Sequence, residues 1–231
     1  MTKNISLRLI LLLCLVVSVL LCTSCSADNY YGFTPFEHYE NMVNQYANEN
    51  VGATDVVFLG DSITEWYPLS SFYQGFTYAN RGIAGDQIRG VSDRLVQTVY
   101  PLSPKVVVLS IGVNDILRDN SVLGCQRQYD DLLENLKENL PDTTIIIGSI
   151  LPVGENLARY QDRIVELNSS IKNLAKKHGC LFVDTHSRLL DQNTEMILPA
   201  YTTDGLHLSE SGYQVVSQAF MPFIEGALRG R

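Results

Sequence analysis

Basic charge is scarce in this sequence: 17 Lys and Arg stand against 25 Asp and Glu, a net charge of -8, and no Lys/Arg-rich tract occurs. A chain that grips nucleic acid through its phosphates carries the opposite sign, so nucleic acid is excluded as the main partner. Charge of either sign is low as well, 18% of residues against roughly 25% in an average soluble domain, while 45% are hydrophobic. That balance excludes intrinsic disorder and leaves enough apolar side chains for a real core. Apolar runs of bilayer length are missing, which excludes a multi-span membrane protein. Collagen-like and coiled-coil classes fall with it. Cysteine is short too: of five, Cys14, Cys22 and Cys25 sit in the first 25 residues, leaving Cys125 and Cys180. Two cysteines make neither a disulfide framework nor a zinc site. One bridge between them, or two buried thiols, are both compatible with the sequence.

What is present begins with an export pattern. Lys3 and Arg8 form a positive lead, and residues 9–22 are an apolar run of 14 residues broken only by Ser18. The run is shorter than the roughly 20 residues that cross a bilayer, so it reads as the core of a signal peptide. The residues that follow, Cys22, Thr23, Ser24 and Cys25, resemble the lipobox of bacterial lipoproteins, which implies cleavage before Cys25 and lipid attachment to its thiol. Residues 1–24 are therefore expected to be a signal peptide. Their removal takes away two basic residues and no acidic ones, leaving 15 basic against 25 acidic and a net charge of -10. On this reading the protein is exported and meets the membrane only through an N-terminal lipid anchor.

Residues 25–50 read as a spacer with a lead-in helix over 36–46, and residues 51–231 as one domain, with no internal repeat or low-complexity linker. Residues 56–59, 106–111, 144–147 and 181–183 are short β-branched runs without polar alternation, the texture of strands buried on both faces. A weaker strand is expected at 77–80. Between them lie apolar stripes at helical spacing: Ile88, Val91, Leu95 and Val99; Tyr129, Leu132, Leu133, Leu136 and Leu140; Tyr160, Ile164, Leu167, Ile171 and Leu174. A last helix is expected over 210–228. Strands alternating with helices predict an α/β fold, a three-layer α/β/α sandwich around a five-stranded parallel sheet.

In such a sheet, functional groups gather past the carboxyl ends of the strands. Those positions hold Gly60, Asp61, Ser62, Ile63 and Thr64 after the first strand, Asn80 to Asp86 after the second, and Gly112, Val113, Asn114 and Asp115 after the third. Asp204 and His207 precede the final helix. Each has a plain structural alternative: Ser62 as a helix cap, the glycines as turn residues, Asn114 as a loop clasp, Asp204 as a turn cap. Their joint occurrence at strand ends points instead to a site.

At these residues the sequence resembles the SGNH/GDSL hydrolase family, in the branch similar to platelet-activating-factor acetylhydrolase subunits and bacterial carbohydrate acetylesterases. The resemblance runs from about Asp55 to the final helix, with the four sequence blocks in the family order. It implies a flavodoxin-like fold, Ser62 as nucleophile, and Asp204 and His207 as its partners. It also implies an oxyanion hole from the Ser62 and Gly85 backbone N–H groups and the Asn114 amide. Elementary chemistry agrees, because a serine hydroxyl is a poor nucleophile without a base beside it and a carboxylate to orient that base. Such a triad needs no cofactor and no metal. A metal-dependent phosphoesterase built on Asp61, Asp115, Asp204 and His207 is the competing reading. It lacks further His and Asp at strand ends, since His38, His178 and His186 show no ligand-like pairing.

The expected substrate is a small-molecule or glycan ester, with a short, acetyl-sized acyl group, because no apolar insertion that could form a lipid-binding lid lies between the blocks. Trp66, Tyr67, Phe72, Tyr73 and Tyr201, with Arg81, Arg89 and Arg118, are candidates for stacking on sugar rings and holding their hydroxyls, or for core packing. A lysophospholipase or platelet-activating-factor acetylhydrolase-like lipid esterase is the alternative within the same chemistry. A non-catalytic glycan-binding lipoprotein is the alternative outside it.

Overall fold

Short runs of Val, Ile and Leu become strands where both their faces are covered. The computed structural model describes residues 35–49 and 52–230; the expected signal peptide over residues 1–24 and the expected lipid attachment at Cys25 lie outside the described residues. The chain falls into two compact units, residues 1–38 and 39–231. Of the first, the opening turn of helix α1 (Pro35–Asn48) is described. The second holds the sheet and the site.

Strands β1 (Val56–Gly60), β2 (Tyr78–Gly82), β3 (Val106–Ser110), β4 (Thr144–Gly148) and β5 (Leu181–Val183) form one sheet in the order β2-β1-β3-β4-β5. Every neighbouring pair is parallel. This is the five-stranded α/β architecture expected from the sequence. Its connections run through helices α2 (Ser62–Glu65), α3 (Leu69–Phe72), α4 (Ile88–Thr98), α5 (Val113–Leu117), α6 (Val122–Asn139) and α7 (Gln161–Lys177), and α8 (His186–Leu189) and α9 (Glu210–Arg229) follow β5.

Alternation along the strands divides the core in two. Val57, Leu59, Val107, Leu109, Ile145 and Ile147 pack with the apolar stripes of α4, α6 and α7. Val56, Phe58, Val106, Val108, Ile146 and Val183 pack with Tyr213, Val216, Phe220 and Ile224 of α9. Each fully buried side chain of this kind contributes about 1.5–3 kcal/mol. Cys125 is buried, Cys180 half-buried, and both thiols are free. His178 ends α7, where a cation is favoured, and meets Asp130 at 2.6 Å.

Strand β2 carries the polar residues that weaken its signal in the sequence. Arg81 is 2% exposed, pairs with Glu49 at 2.9 Å and lies over the Tyr46 ring at 4.6 Å. The Tyr46 hydroxyl donates to the Gly82 carbonyl at 2.7 Å, so α1 is fastened to the end of β2.

The strand order reverses between β1 and β3. In a sheet of this order, the crevice beyond the carboxyl ends of those two strands is where ligands bind. Ser62 follows β1 and Asn114 follows β3.

Candidate active site

The chain turns sharply after Gly60 into α2. Asp61, not Ser62, caps that helix: its Oδ1 accepts the Ile63 N–H at 3.0 Å. Ser62 is thereby the first helical residue, whose N–H has no carbonyl four residues back to bond. Its Oγ lies 3.0 Å from His207 Nε2. On the other side of the imidazole, Nδ1 lies 2.6 Å from Asp204 Oδ2.

The three-residue spacing of Asp204 and His207 works through a tight loop. Asp204 Oδ1 accepts the N–H groups of Leu206 and His207 at 2.9 and 2.7 Å, leaving Oδ2 for the imidazole. The turn-capping role and the histidine-orienting contact thus belong to one carboxylate. Burial pushes the Asp204 carboxyl up, but the hydrogen bonds from the His207 ring and from these two N–H groups outweigh it and leave it below the ordinary range. The loop is clamped from behind. Gly154 N–H donates to the Gly205 carbonyl at 2.7 Å, and Asn156 Nδ2 donates to the Asp204 carbonyl at 3.1 Å. Gly205 has φ +88°, and a Cβ there would come within 2.3 Å of Asn156 Oδ1.

Gly85 lies in a turn closed by the Asp86 N–H to the Ile83 carbonyl at 3.1 Å, at φ +76°. Glycine meets that backbone requirement. The turn is held from α2, since Glu65 Oε2 accepts the Ala84 N–H at 2.5 Å. Asn114, in the first turn of α5, donates one amide hydrogen to the Asp86 carbonyl at 3.0 Å. The loop-clasp role is real, and it leaves the second amide hydrogen available. The structure therefore brings Ser62, Asp204 and His207 into one hydrogen-bonded chain, and ties the turn of Gly85 to Asn114.

Asp61 and Asp115 go elsewhere than a metal reading needs. Asp115 is fully buried and its Oδ2 accepts the Ile88 N–H at 3.1 Å. Burial raises the Asp61 carboxyl to about 7 and that of Asp115 to about 6, directions that disfavour the charged form a cation would require. Asp204 faces the imidazole, and among the described residues no three His, Cys, Asp or Glu side chains converge.

The proposed sugar platform is largely dismantled. Tyr67 and Tyr73 are core residues, 7% and 2% exposed, joined hydroxyl to hydroxyl at 3.0 Å, and Tyr67 also meets Ser217 at 2.8 Å. Arg81 is buried against α1, and Arg89 pairs with Asp93 at 2.8 Å. Trp66 and Arg118 do flank the site. Trp66 lies on the His207 ring, centroids 4.4 Å apart. Arg118 is exposed, bonds Gln87 Oε1 at 2.7 Å, and its Nη2 would lie 3.6 Å from a Cβ at Gly85.

Sequence reasoning passed over Arg94 and gave Asp86 no role beyond its place after the second strand; the two form a fully buried ion pair at 2.9 Å beside the Gly85 turn. The available signal was position: Arg94, three residues after Val91 and one before Leu95, falls on the apolar stripe of α4.

Comparison with known proteins decides the family. Residues 58–215 match the GDSL-like lipase/acylhydrolase family. The chain belongs to it. A solved Streptococcus pneumonia structure provisionally labelled a platelet activating factor shares 30% identity and a TM-score of 0.77, over 82% of this chain and 94% of that one. An acetylxylan esterase of Geobacillus stearothermophilus is 22% identical across 64% of this chain and 71% of its own length. A multidomain esterase of Ruminococcus flavefaciens is 25% identical across 68% of this chain, which spans 21% of that protein's length. The GDSL family member described here thus has carboxylic ester hydrolases among its relatives, on the fold and in the family expected from the sequence.

Proposed function

We propose that this GDSL family member is an exported serine esterase that removes acetyl or similarly short acyl groups from carbohydrate. The observation that carries the catalytic part is the unbroken chain from Ser62 Oγ through His207 to Asp204, at 3.0 and 2.6 Å.

The steps follow from that chain. Ser62 Oγ attacks the acyl carbon while His207 Nε2 takes the hydroxyl proton, and Asp204 holds the imidazolium. Charge on the former carbonyl oxygen is met by the Ser62 and Gly85 N–H groups and the free amide hydrogen of Asn114; one such donor is worth about 10²–10³ in rate. The intermediate collapses, His207 passes its proton to the departing sugar oxygen, and an acyl-serine remains. Water then gives a proton to His207 and its oxygen to the acyl carbon. Collapse releases the carboxylic acid and returns the proton to Ser62.

Short acyl groups are supported by the likeness to an acetylxylan esterase. Carbohydrate is supported by the acetylxylan esterase relative and by Trp66 and Arg118 at the rim. The platelet-activating-factor label of the Streptococcus relative favours a lipid ester as the second reading. Export and lipidation at Cys25 rest on the signal pattern, and the anchor is the membrane contact.

The mature protein, assayed on acetylated xylooligosaccharides, on a p-nitrophenyl acetate-to-octanoate series and on lysophospholipids, should prefer the acetylated sugars and the C2 ester. A kcat/KM that climbs from C2 to C8, with lysophospholipid turnover, would establish the lipid reading instead. Membrane fractionation of wild type and Cys25→Ala should release only the variant; equal release would refute the anchor.

A further inference from the structure

Arg94 touches none of the reacting groups, yet its guanidinium reaches the segments on which they stand. Nε donates to Asp86 Oδ2 at 2.9 Å, and Nη2 donates to the Gly60 carbonyl at 3.2 Å and the Arg81 carbonyl at 2.8 Å. Gly60 is the last residue of β1, two before Ser62. Arg81 lies in β2, which leads into the turn of Gly85. Asp86 follows Gly85 directly, and all of its polar groups are committed: Oδ1 accepts the Gln87 N–H at 2.9 Å, its own N–H closes the turn, and its carbonyl accepts the Asn114 amide at 3.0 Å.

The side chains of Arg94 and Asp86 are 1% and 2% exposed. A buried ion pair seldom adds stability over apolar side chains of the same volume, so its presence calls for a reason other than stability. A planar guanidinium with donors in a fixed fork can hold a carboxylate and two carbonyls of different strands at set angles, which a lysine ammonium cannot. Preorganised donors act on a developing charge because they need no rearrangement when it forms.

We propose that Arg94 is the positioning residue of the oxyanion hole: locked to Asp86, Gly60 and Arg81, its guanidinium fixes the Ser62, Gly85 and Asn114 donors relative to one another. The inference rests on the esterase reading above. It assigns the Asp86–Arg94 pair to rate rather than to substrate affinity. The loop of Asp204 and His207 is held by a separate set of contacts, through Gly154 and Asn156.

The test is steady-state kinetics of wild type, Arg94→Lys, Asp86→Asn and the double variant on p-nitrophenyl acetate across pH, with circular dichroism to establish the fold and Ser62→Ala as control. Arg94→Lys should be folded, with kcat lowered about 10²–10³-fold, the loss of one oxyanion donor, at nearly unchanged KM. The pH at half-maximal activity should stay where it is in wild type. Asp86→Asn should show the same pattern, and the double variant should be no slower than the slower single one, because both break the same connection. A folded Arg94→Lys with wild-type kcat would overturn the proposal, as would a rise in KM together with a displaced pH midpoint. If Arg94→Lys does not accumulate folded, Asp86→Asn carries the same expectation and the same refutation. If wild type and Ser62→Ala are equally active, it is the esterase reading that fails.

Discussion

The indole of Trp66 rests on the imidazole of His207, ring centroids 4.4 Å apart and planes inclined by 49°. Trp66 closes α2, its N–H donating to the Ser62 carbonyl at 3.0 Å, so Ser62 and the indole are four residues apart on one short helical turn. Both meet the same imidazole, Ser62 at Nε2 and the indole in a tilted ring contact.

The chain contains a single tryptophan, which makes this contact readable. An imidazole packed on an indole alters its emission, so the fluorescence spectrum of His207→Gln should differ in intensity and maximum from that of wild type. Identical emission curves for the two proteins would mean that the rings do not stay in contact in solution.

Stability should fall as pH rises, for a stated reason. Burial raises the carboxyl of Asp61 from 3.8 to about 7 and that of Asp115 to about 6. A folded state that holds its protons more tightly than the unfolded chain gains stability at low pH and loses it through this window. Asp61→Asn keeps an acceptor for the Ile63 N–H but cannot ionise. Its melting temperature should decline less than that of wild type between pH 5 and pH 8, the difference amounting to several degrees at about 2–4 °C per kcal/mol for a chain of this size. Parallel curves would place the Asp61 carboxylate in a better solvated setting than the structure gives it.

The loop that carries Asp204 and His207 depends on close approach between Gly205 and residues 154–156. Gly205→Ala places a Cβ within 2.3 Å of Asn156 Oδ1 at φ +88°. The loop must shift, and displacing a catalytic group by about 1 Å can cost about 10² in rate. kcat should fall by that order in a protein that still folds, whereas Asn156→Ala, which removes one hydrogen bond to the loop, should cost less. Unchanged kcat in Gly205→Ala would show that the loop position is not set by this contact.

Much of this was legible from residue patterns, and the remainder was hidden for definable reasons. Strands β1, β3 and β4 were readable because both their faces are covered, whereas β5 was readable from its apolar run although Leu181 is exposed. Strand β2 carries a weak signal, over 77–80 against the observed Tyr78–Gly82, because Arg81 is buried by an ion pair and an aromatic face that no periodicity records. Helices α2, α3, α5 and α8 have four or five residues, less than the window in which a helical stripe can be seen. The carboxyl-end rule marked where Ser62, Gly85 and Asn114 stand. It did not mark which aromatics face solvent: Tyr67 turns inward to Ser217, 150 residues along the chain. Arg94 was hidden for a similar reason, since its partners are backbone carbonyls of two strands and a carboxylate in a turn.

The central claim is that Ser62 is activated by His207 and forms an acyl-enzyme. Ser62→Ala, with wild-type and variant proteins treated with a fluorophosphonate probe and followed by intact mass and by p-nitrophenyl acetate turnover, tests it most directly. The wild type should gain one adduct, mapped to Ser62, and lose its activity. The variant should be folded, take no adduct, and show turnover lowered by about 10⁶, the scale seen when a serine nucleophile is removed. A folded Ser62→Ala protein with near-normal turnover, or an adduct on another residue, would contradict the account.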